Sequence, residues 1–230
     1  MKKPVFYTEL AYVAGLLILA FGTALLVYGG FGTSIVVAPA YILHLKISQT
    51  WSFFSFGMAE YVIQGLMLLV LLIAFRSRKW TWVLSFVTTV LYGLLLDGGI
   101  WLTTWLPQWL ALRIVLYVLG IWICTMGIAL LFSTYFTLAA YELLIKVLSQ
   151  RFGWKMHVVK TVYDCCSCVV AVVLAFALLG NLEGIGIGSV VCALCYGTLI
   201  RLHTKLLNRV WVFQDKFPLR RYFEESEEAL

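Results

Sequence analysis

The stretch YVAGLLILAFGTALL, residues 12–26, recurs as YVLGIWICTMGIALL at residues 117–131, with eight of fifteen positions identical. Both copies contain two glycines seven residues apart, namely Gly15 and Gly22, and Gly120 and Gly127. Both copies lack charged residues and are long enough to form most of a transmembrane helix. The recurrence therefore predicts an internal duplication of the chain.

A second match extends the duplication to later helices. At an offset of 104 residues, identical residues align in four pairs: Ser85/Ser189, Val87/Val191, Tyr92/Tyr196 and Gly93/Gly197. We therefore divide the chain into a first repeat (1–105), a second repeat (106–207) and a polar tail (208–230).

The composition predicts an integral membrane protein. The chain has 230 residues, of which 63% are hydrophobic and 12% charged, whereas soluble domains are about half apolar and a quarter charged. Long continuous apolar runs favour helices over the alternating strands of a β-barrel. The net charge of +6 then follows from basic loops on the cytoplasmic side and does not indicate nucleic-acid binding.

Six segments are long enough to span a bilayer, including a first span that we expect to be retained and not cleaved as a signal peptide. They are residues 10–30, 53–75, 80–102, 110–134, 158–180 and 184–205. With a cytoplasmic N-terminus, every Lys and Arg except Lys46 and Arg113 lies on the cytoplasmic side, so both termini are predicted to be cytoplasmic. Because each repeat has three spans, the second repeat must be inverted relative to the first.

Each repeat also has a short segment after its first span, at residues 31–45 and 135–149. Both are too short to cross the membrane, and Pro39 and the preceding glycines favour a backbone break. We expect interfacial or re-entrant helices. Such interrupted segments in matching positions indicate a binding site between repeats.

Two carboxylates align at the offset of 104, Glu60 and Asp164. A carboxylate in lipid is costly, so both are expected to face the bundle interior, a cavity or water. One interpretation is a proton or cation site between the repeats, to which Gln64, one turn after Glu60, contributes hydrogen bonds. The alternative is that each is hydrated near the interface or stabilises a neighbouring helix end.

Two further acids complete the set of candidate site residues. Asp97, whose repeat position holds Arg201, fits a helix cap or an ion pair as well as a binding role. Glu142 lies in the second short segment, where it could line a cavity.

Cysteines are concentrated in the last two spans: Cys165, Cys166, Cys168, Cys192 and Cys195, with Cys124 apart from them. A zinc site between the two helices is the alternative, but cysteine in lipid is mostly a small packing residue, and we take that interpretation. The motif EGIGIGS at 183–189 lacks the Lys-Ser/Thr of a phosphate loop and is better explained by close backbone approach. No catalytic pattern occurs, so we expect neither an enzyme nor a bound cofactor or metal.

With these features in view, the chain resembles the YitT/YczE-like family of bacterial membrane proteins. The resemblance rests on GGFGTSIVVAPAYIL (29–43), KTVYDCCSCVV (160–170) and GIGIGSVVCALCYGTLI (184–200). Where that family has proline-tryptophan-aspartate after the first turn, this chain has Ile35, Val36 and Val37. The resemblance implies a multi-pass protein of the bacterial cytoplasmic membrane. It adds little on function, because the members of that family are uncharacterised membrane proteins for which transport is an expectation.

Three functions remain as hypotheses. The first is a small-molecule or ion permease, with proton coupling through Glu60 and Asp164. The second is a scaffold or accessory subunit that binds a membrane partner, or a second copy, through its basic edge and the acidic run at 224–228. The third is a thiol or metal redox protein, which follows from the cysteines alone.

Overall fold

The structure is a computed structural model that describes residues 4–75, 80–136, 139–154, 156–182 and 184–216. Within these ranges the description omits the side chains of residues 74, 75, 80–83, 142, 146, 150, 156, 157 and 161. The basic cluster at 76–79, the acidic run at 224–228 and the side chain of Glu142 therefore lie outside the described part of the chain.

The described residues form eight α-helices and two short strands. In chain order these are β1 (Val5–Tyr7), α1 (Thr8–Gly29), α2 (Ala38–Ser48), α3 (Phe56–Phe75), α4 (Trp80–Thr103), α5 (Leu110–Phe132), α6 (Ala140–Phe152), α7 (Met156–Leu174), a π-helical extension of α7 (Ala175–Leu179), α8 (Ile187–Val210) and β2 (Val212–Gln214). Six of the helices, all but α2 and α6, are long and apolar enough to cross a membrane. This confirms the predicted all-α, six-span membrane fold.

Helices α1 and α5, which carry the repeated stretch, pack against each other in antiparallel directions. A Cβ added at Gly22 would lie 2.8 Å from the backbone nitrogen of Cys124, and one at Gly127 would lie 2.7 Å from that of Leu19. Glycine is therefore required for this close approach. The contact is also reciprocal, since Gly15 faces Gly127 while Gly120 faces Gly22. An inverted duplication stays a prediction, and this reciprocity is what it would produce.

Most of the other helix contacts recur when the two halves are exchanged. Helix α2 packs on α3 and α7, and α6 packs on α7 and α3; α1 packs on α4, and α5 on α8. Two contacts of the first half have no comparable counterpart among the described residues: α3 packs along α4 but α7 does not pack along α8, and α4 contacts α6 but α8 makes no comparable contact with α2. The second half is therefore more open than the first.

The two short segments form the helices α2 and α6, each separated from the preceding span by non-helical backbone. Gly30 ends α1 in a left-handed conformation, with φ of 71°, and Pro39 stands in the first turn of α2, where its missing N–H costs little. Between them, Gly32 has φ of 106° and lies against Gly186. The Gly188 amide donates to the Phe31 carbonyl at 2.9 Å, so the glycines of 184–189 serve close backbone contact.

The two ends of the described chain lie together. Strand β1 pairs in parallel with β2, Val5 facing Val212, and the Thr8 hydroxyl donates to the Asp215 carboxylate at 2.8 Å. The two ends of the described chain therefore lie on one side of the bundle, as an even number of spans requires. Within the predicted polar tail (208–230), residues 208–210 continue α8 and residues 212–214 form β2. Residues 217–230 lie outside the described residues.

Candidate functional site

A cavity of about 370 Å³ lies between the two halves of the molecule. Its size falls in the range of small-molecule sites. Both halves contribute walls, because lining residues come from α1, α3 and α4 as well as from α5 to α8, and from residues 34–37 ahead of α2. Nine of the 24 lining residues have large aliphatic side chains: Leu16, Leu19, Ile35, Val36, Val37, Ile128, Leu131, Ile145 and Ile200.

Polar side chains lie at a few positions in this apolar lining. The charged pair is Lys160 and Asp164 on α7, and the amide is Gln64 on α3. Four tyrosines join them: Tyr92, Tyr141, Tyr163 and Tyr196. A few polar groups in an apolar cavity are typical of ligand sites.

Behind the cavity wall, Glu60 and Gln64 form a fully buried hydrogen-bonded network; both are 0% exposed. The Gln64 amide donates to Glu60 Oε2 at 2.9 Å, and the Tyr141 hydroxyl donates to the same oxygen at 2.6 Å. Gln64 Oε1 accepts from the Thr89 hydroxyl at 2.7 Å. Three helices, α3, α4 and α6, are thereby joined through polar groups in the interior.

The same network positions the start of α6. Gln64 Oε1 also accepts from the backbone N–H of Ala140, the first residue of α6, at 3.0 Å. The first N–H groups of a helix have no partner within it, and the preceding Ala139 offers no side-chain cap. Gln64 supplies that partner from the interior of α3, so α6 begins inside the bundle and not at its surface.

Asp164 lies in a different environment from Glu60. It lines the cavity, its Oδ2 lies 3.9 Å from Lys160 Nζ, and its Oδ1 is buried without a hydrogen-bond partner among the described residues. Glu60 is not a lining residue; Gln64 and Tyr141 are. The two carboxylates that the repeat aligns thus have different places, one at the cavity wall and one behind it.

Comparison with known protein families identifies the family of the chain. Residues 6–205, which include every residue that lines the cavity, match the model of a family described as a family of unknown function, DUF6198. The chain belongs to DUF6198. No curated protein and no solved structure matches it. The DUF6198 match does not bear on the YitT/YczE-like resemblance, which stays a prediction.

Of the remaining candidate residues, the structure places Asp97 away from the cavity in this DUF6198 protein. Its Oδ2 accepts from the Ser55 hydroxyl at 2.6 Å, and its Oδ1 accepts from the Gly57 amide at 2.8 Å. Asp97 therefore caps the start of α3, the structural alternative considered for it. Arg201, its repeat counterpart, takes no part in that cap. Glu142 lies in α6, but its side chain is outside the described part.

Removal of this cap is expected to weaken the fold without touching the cavity. Asp97→Ala should lower the free energy of unfolding by about 1–2 kcal/mol, or roughly 2–8 °C in Tm for a chain of this length. Thermal unfolding of the purified protein measures the change. Asp97→Asn is the control, since its amide oxygen still accepts one bond. Equal losses in both variants would contradict the capping role.

The cysteines do not converge. Cys165 and Cys166 are exposed, Cys192 and Cys124 are buried, and all six are free thiols. Among the described residues, no three His, Cys, Asp or Glu side chains are placed to hold one metal ion. Cys192 and Cys124 pack in one apolar cluster with Tyr117, as small packing residues do.

Sequence reasoning missed the aromatic lining and Lys160. Lys160, Tyr163 and Asp164 are spaced to share one helical face, and this spacing is visible in the sequence directly before Cys165 and Cys166. Tyr92 and Tyr196 were aligned by the repeat, and both line the cavity. Tyr141 carried no signal in the sequence, because its role depends on where α6 packs.

Proposed function

We propose that this DUF6198 protein is a permease for a small molecule or ion, with its site in the cavity between two inverted three-span repeats. The observation that carries the proposal is a cavity bounded by both halves of a six-span bundle, with one charged pair among the aliphatic, aromatic and hydroxyl side chains of its described lining. Sites between inverted repeats are common in secondary transporters. Charged residues inside a membrane bundle are rare and typically functional.

The two carboxylates take separate roles in this proposal. Asp164, at the cavity wall, contacts the substrate. Glu60, behind the wall, exchanges a proton, and Tyr141 connects the two places because it donates to Glu60 and also lines the cavity. A change in the charge of Glu60 would alter the bonds that position α6, which gives a physical route from protonation to a change in the cavity.

The proposed orientation follows the basic residues. We place both termini in the cytoplasm of a bacterium and the protein in its cytoplasmic membrane, supported by the Lys and Arg distribution and by the pairing of β1 with β2. The scaffold or accessory-subunit function remains as the alternative. The open side between α7 and α8 favours it as a place for a partner subunit or a second copy.

Ligand screening of the purified protein tests the proposal. A ligand at about one hundred times its Kd stabilises by about 2.7 kcal/mol, or several degrees in Tm. We expect a hit from a metabolite library that stabilises wild type and Cys165→Ser, an exposed neighbour on the same helix, but not Asp164→Asn. In proteoliposomes the same compound should be taken up by wild type and not by Asp164→Asn.

Uptake into the same proteoliposomes also tests proton coupling. A pH gradient should drive uptake by wild type but not by Glu60→Gln, which cannot take up a proton. A compound that binds but is never transported would make the protein a receptor. No stabilising compound at all, with Asp164→Asn as stable as wild type, would favour the accessory-subunit alternative.

A further inference from the structure

We infer that the substrate is an amphipathic organic cation, an ammonium group attached to an apolar body, with Asp164 as its counter-ion. The inference rests on the proposed permease function and names the chemistry of its site. Four observations carry it: the state of the Asp164 carboxylate, the exposure of Lys160, the aromatic rings in the same cavity and the aliphatic side chains of the lining.

The Asp164 carboxylate is available to a ligand. Its buried Oδ1 has no hydrogen-bond partner among the described residues, and its Oδ2 is 3.9 Å from Lys160 Nζ, too far for a hydrogen bond. The Asp164 side chain as a whole is 36% exposed, so a ligand in the cavity that it lines can reach the carboxylate, and a donor at closer range would stabilise the unpaired oxygen. An ammonium group supplies both the donors and the opposite charge.

The ion pair between Lys160 and Asp164 is weak. The Lys160 side chain is 46% exposed, and ion pairs of this kind contribute little because water competes for the charge. The long stem of Lys160 allows the ammonium to move out to water when a ligand approaches Asp164. Lys160 therefore acts as a displaceable counter-ion, which keeps Asp164 compensated when the cavity is empty of substrate.

Two aromatic rings line the same cavity as the carboxylate. Tyr163 precedes Asp164, and its ring centroid is 6.3 Å from that of Tyr141; all three residues line the cavity. Both hydroxyls already have partners, Met67 Sδ for Tyr163 and Glu60 for Tyr141. The rings are thus what these residues offer a ligand, and aromatic rings near a carboxylate attract organic cations.

The rest of the lining determines the body of the substrate. Aliphatic side chains bind an apolar group, and α7 and α8, which both line the cavity, do not pack along each other, which leaves room for such a group between them. A divalent metal cation prefers several carboxylate or carbonyl oxygens, whereas the described lining presents the Asp164 carboxylate and the Gln64 amide, whose oxygen already accepts two hydrogen bonds. An anion would meet Lys160 only with Asp164 beside it. Both are therefore poorer fits than an organic cation.

Binding of matched probes tests the charge of the substrate. The probes are phenethylammonium, 3-phenylpropanoate and 2-phenylethanol, measured by calorimetry against the full chain in lipid nanodiscs. Phenethylammonium should bind wild type, lose at least about tenfold in affinity in Asp164→Asn and gain affinity in Lys160→Met, which removes the competing cation. Cys165→Ser should bind as wild type does.

Two further series of binding measurements test the contribution of the aromatic rings and that of the apolar body of the ligand. Tyr163→Leu should lower the affinity for phenethylammonium about threefold, whereas Tyr163→Phe, which keeps the ring, should leave it unchanged. From benzylammonium to 3-phenylpropylammonium, each added methylene should raise the affinity about fourfold. Equal effects of the leucine and phenylalanine variants would overturn the aromatic contribution, and a flat methylene series would overturn the apolar one.

The outcomes separate this inference from the permease proposal. The assignment of the substrate as an organic cation would be overturned if the protein bound 3-phenylpropanoate preferentially and lost that binding in Lys160→Met. It would also be overturned if folded protein, with an unchanged Tm, bound none of the three probes. If an anionic or neutral probe is nevertheless taken up into proteoliposomes through wild type, the permease proposal stands. If phenethylammonium binds through Asp164 but never enters vesicles, the cation site stands and the permease proposal fails.

Discussion

Gly127→Ala is expected to cause the largest loss of stability, because the added methyl group has no space between α1 and α5. Its Cβ would lie 2.7 Å from the Leu19 nitrogen and 3.0 Å from the Gly15 carbonyl oxygen. Both are backbone atoms, which cannot rotate away as a side chain can. Overpacking of this kind costs about 3 kcal/mol, so Tm should fall by roughly 10 °C.

A matched alanine substitution provides the control for this prediction. Gly98 lies in α4, and a Cβ there would meet nothing within 4 Å. Gly98→Ala should leave Tm unchanged or raise it, because alanine has a helix propensity about 1 kcal/mol better than glycine. Thermal unfolding of both variants in one detergent decides the matter. If Gly127→Ala and Gly98→Ala have the same Tm, the backbones of α1 and α5 do not approach closely enough to exclude a methyl group.

The helices of this fold could be predicted because each depends on a long local pattern. An apolar run of about 20 residues indicates a span wherever it occurs. The repeated stretch at 12–26 and 117–131 predicted a duplication, but the close packing of α1 on α5 through its glycines is seen only in the structure. Strands β1 and β2 could not be predicted, since each has three residues and they pair across nearly the whole chain. The π-helical end of α7 likewise had no distinct pattern.

The candidate site could be predicted only in part, since sequence alignment gives equivalent positions but not equivalent surroundings. Glu60 and Asp164 align, yet Tyr141 and Gln64 enclose Glu60, while Asp164 meets the cavity. The difference comes from the packing of α6 on α3, which no local pattern encodes. Asp97 was a candidate cap because of its charge near the predicted end of its span, but it lies within α4, and the helix whose start it caps, α3, is known only from the packing.

Glu60→Leu should undock α6, the second large effect expected. The leucine leaves the buried Tyr141 hydroxyl and the Gln64 amide without the acceptor they share in wild type. Each unsatisfied buried donor costs about 1–3 kcal/mol, so a total loss of about 3 kcal/mol is expected, or roughly 6–12 °C in Tm. Thermal unfolding measures the total, and hydrogen exchange of the amides of α6 locates it.

Glu60→Gln is the matched variant for this measurement, because its amide oxygen still accepts from Tyr141 in a side chain of nearly the same shape. We expect a loss of about 1 kcal/mol, from a neutral acceptor replacing a charged one, and unchanged exchange at Ala140. Tyr141→Phe should lie between the two variants, since it removes one donor and leaves the Gln64 bonds intact. If α6 exchanges as slowly in Glu60→Leu as in Glu60→Gln, packing alone holds this helix, and Glu60 has no means of passing its protonation state to the cavity.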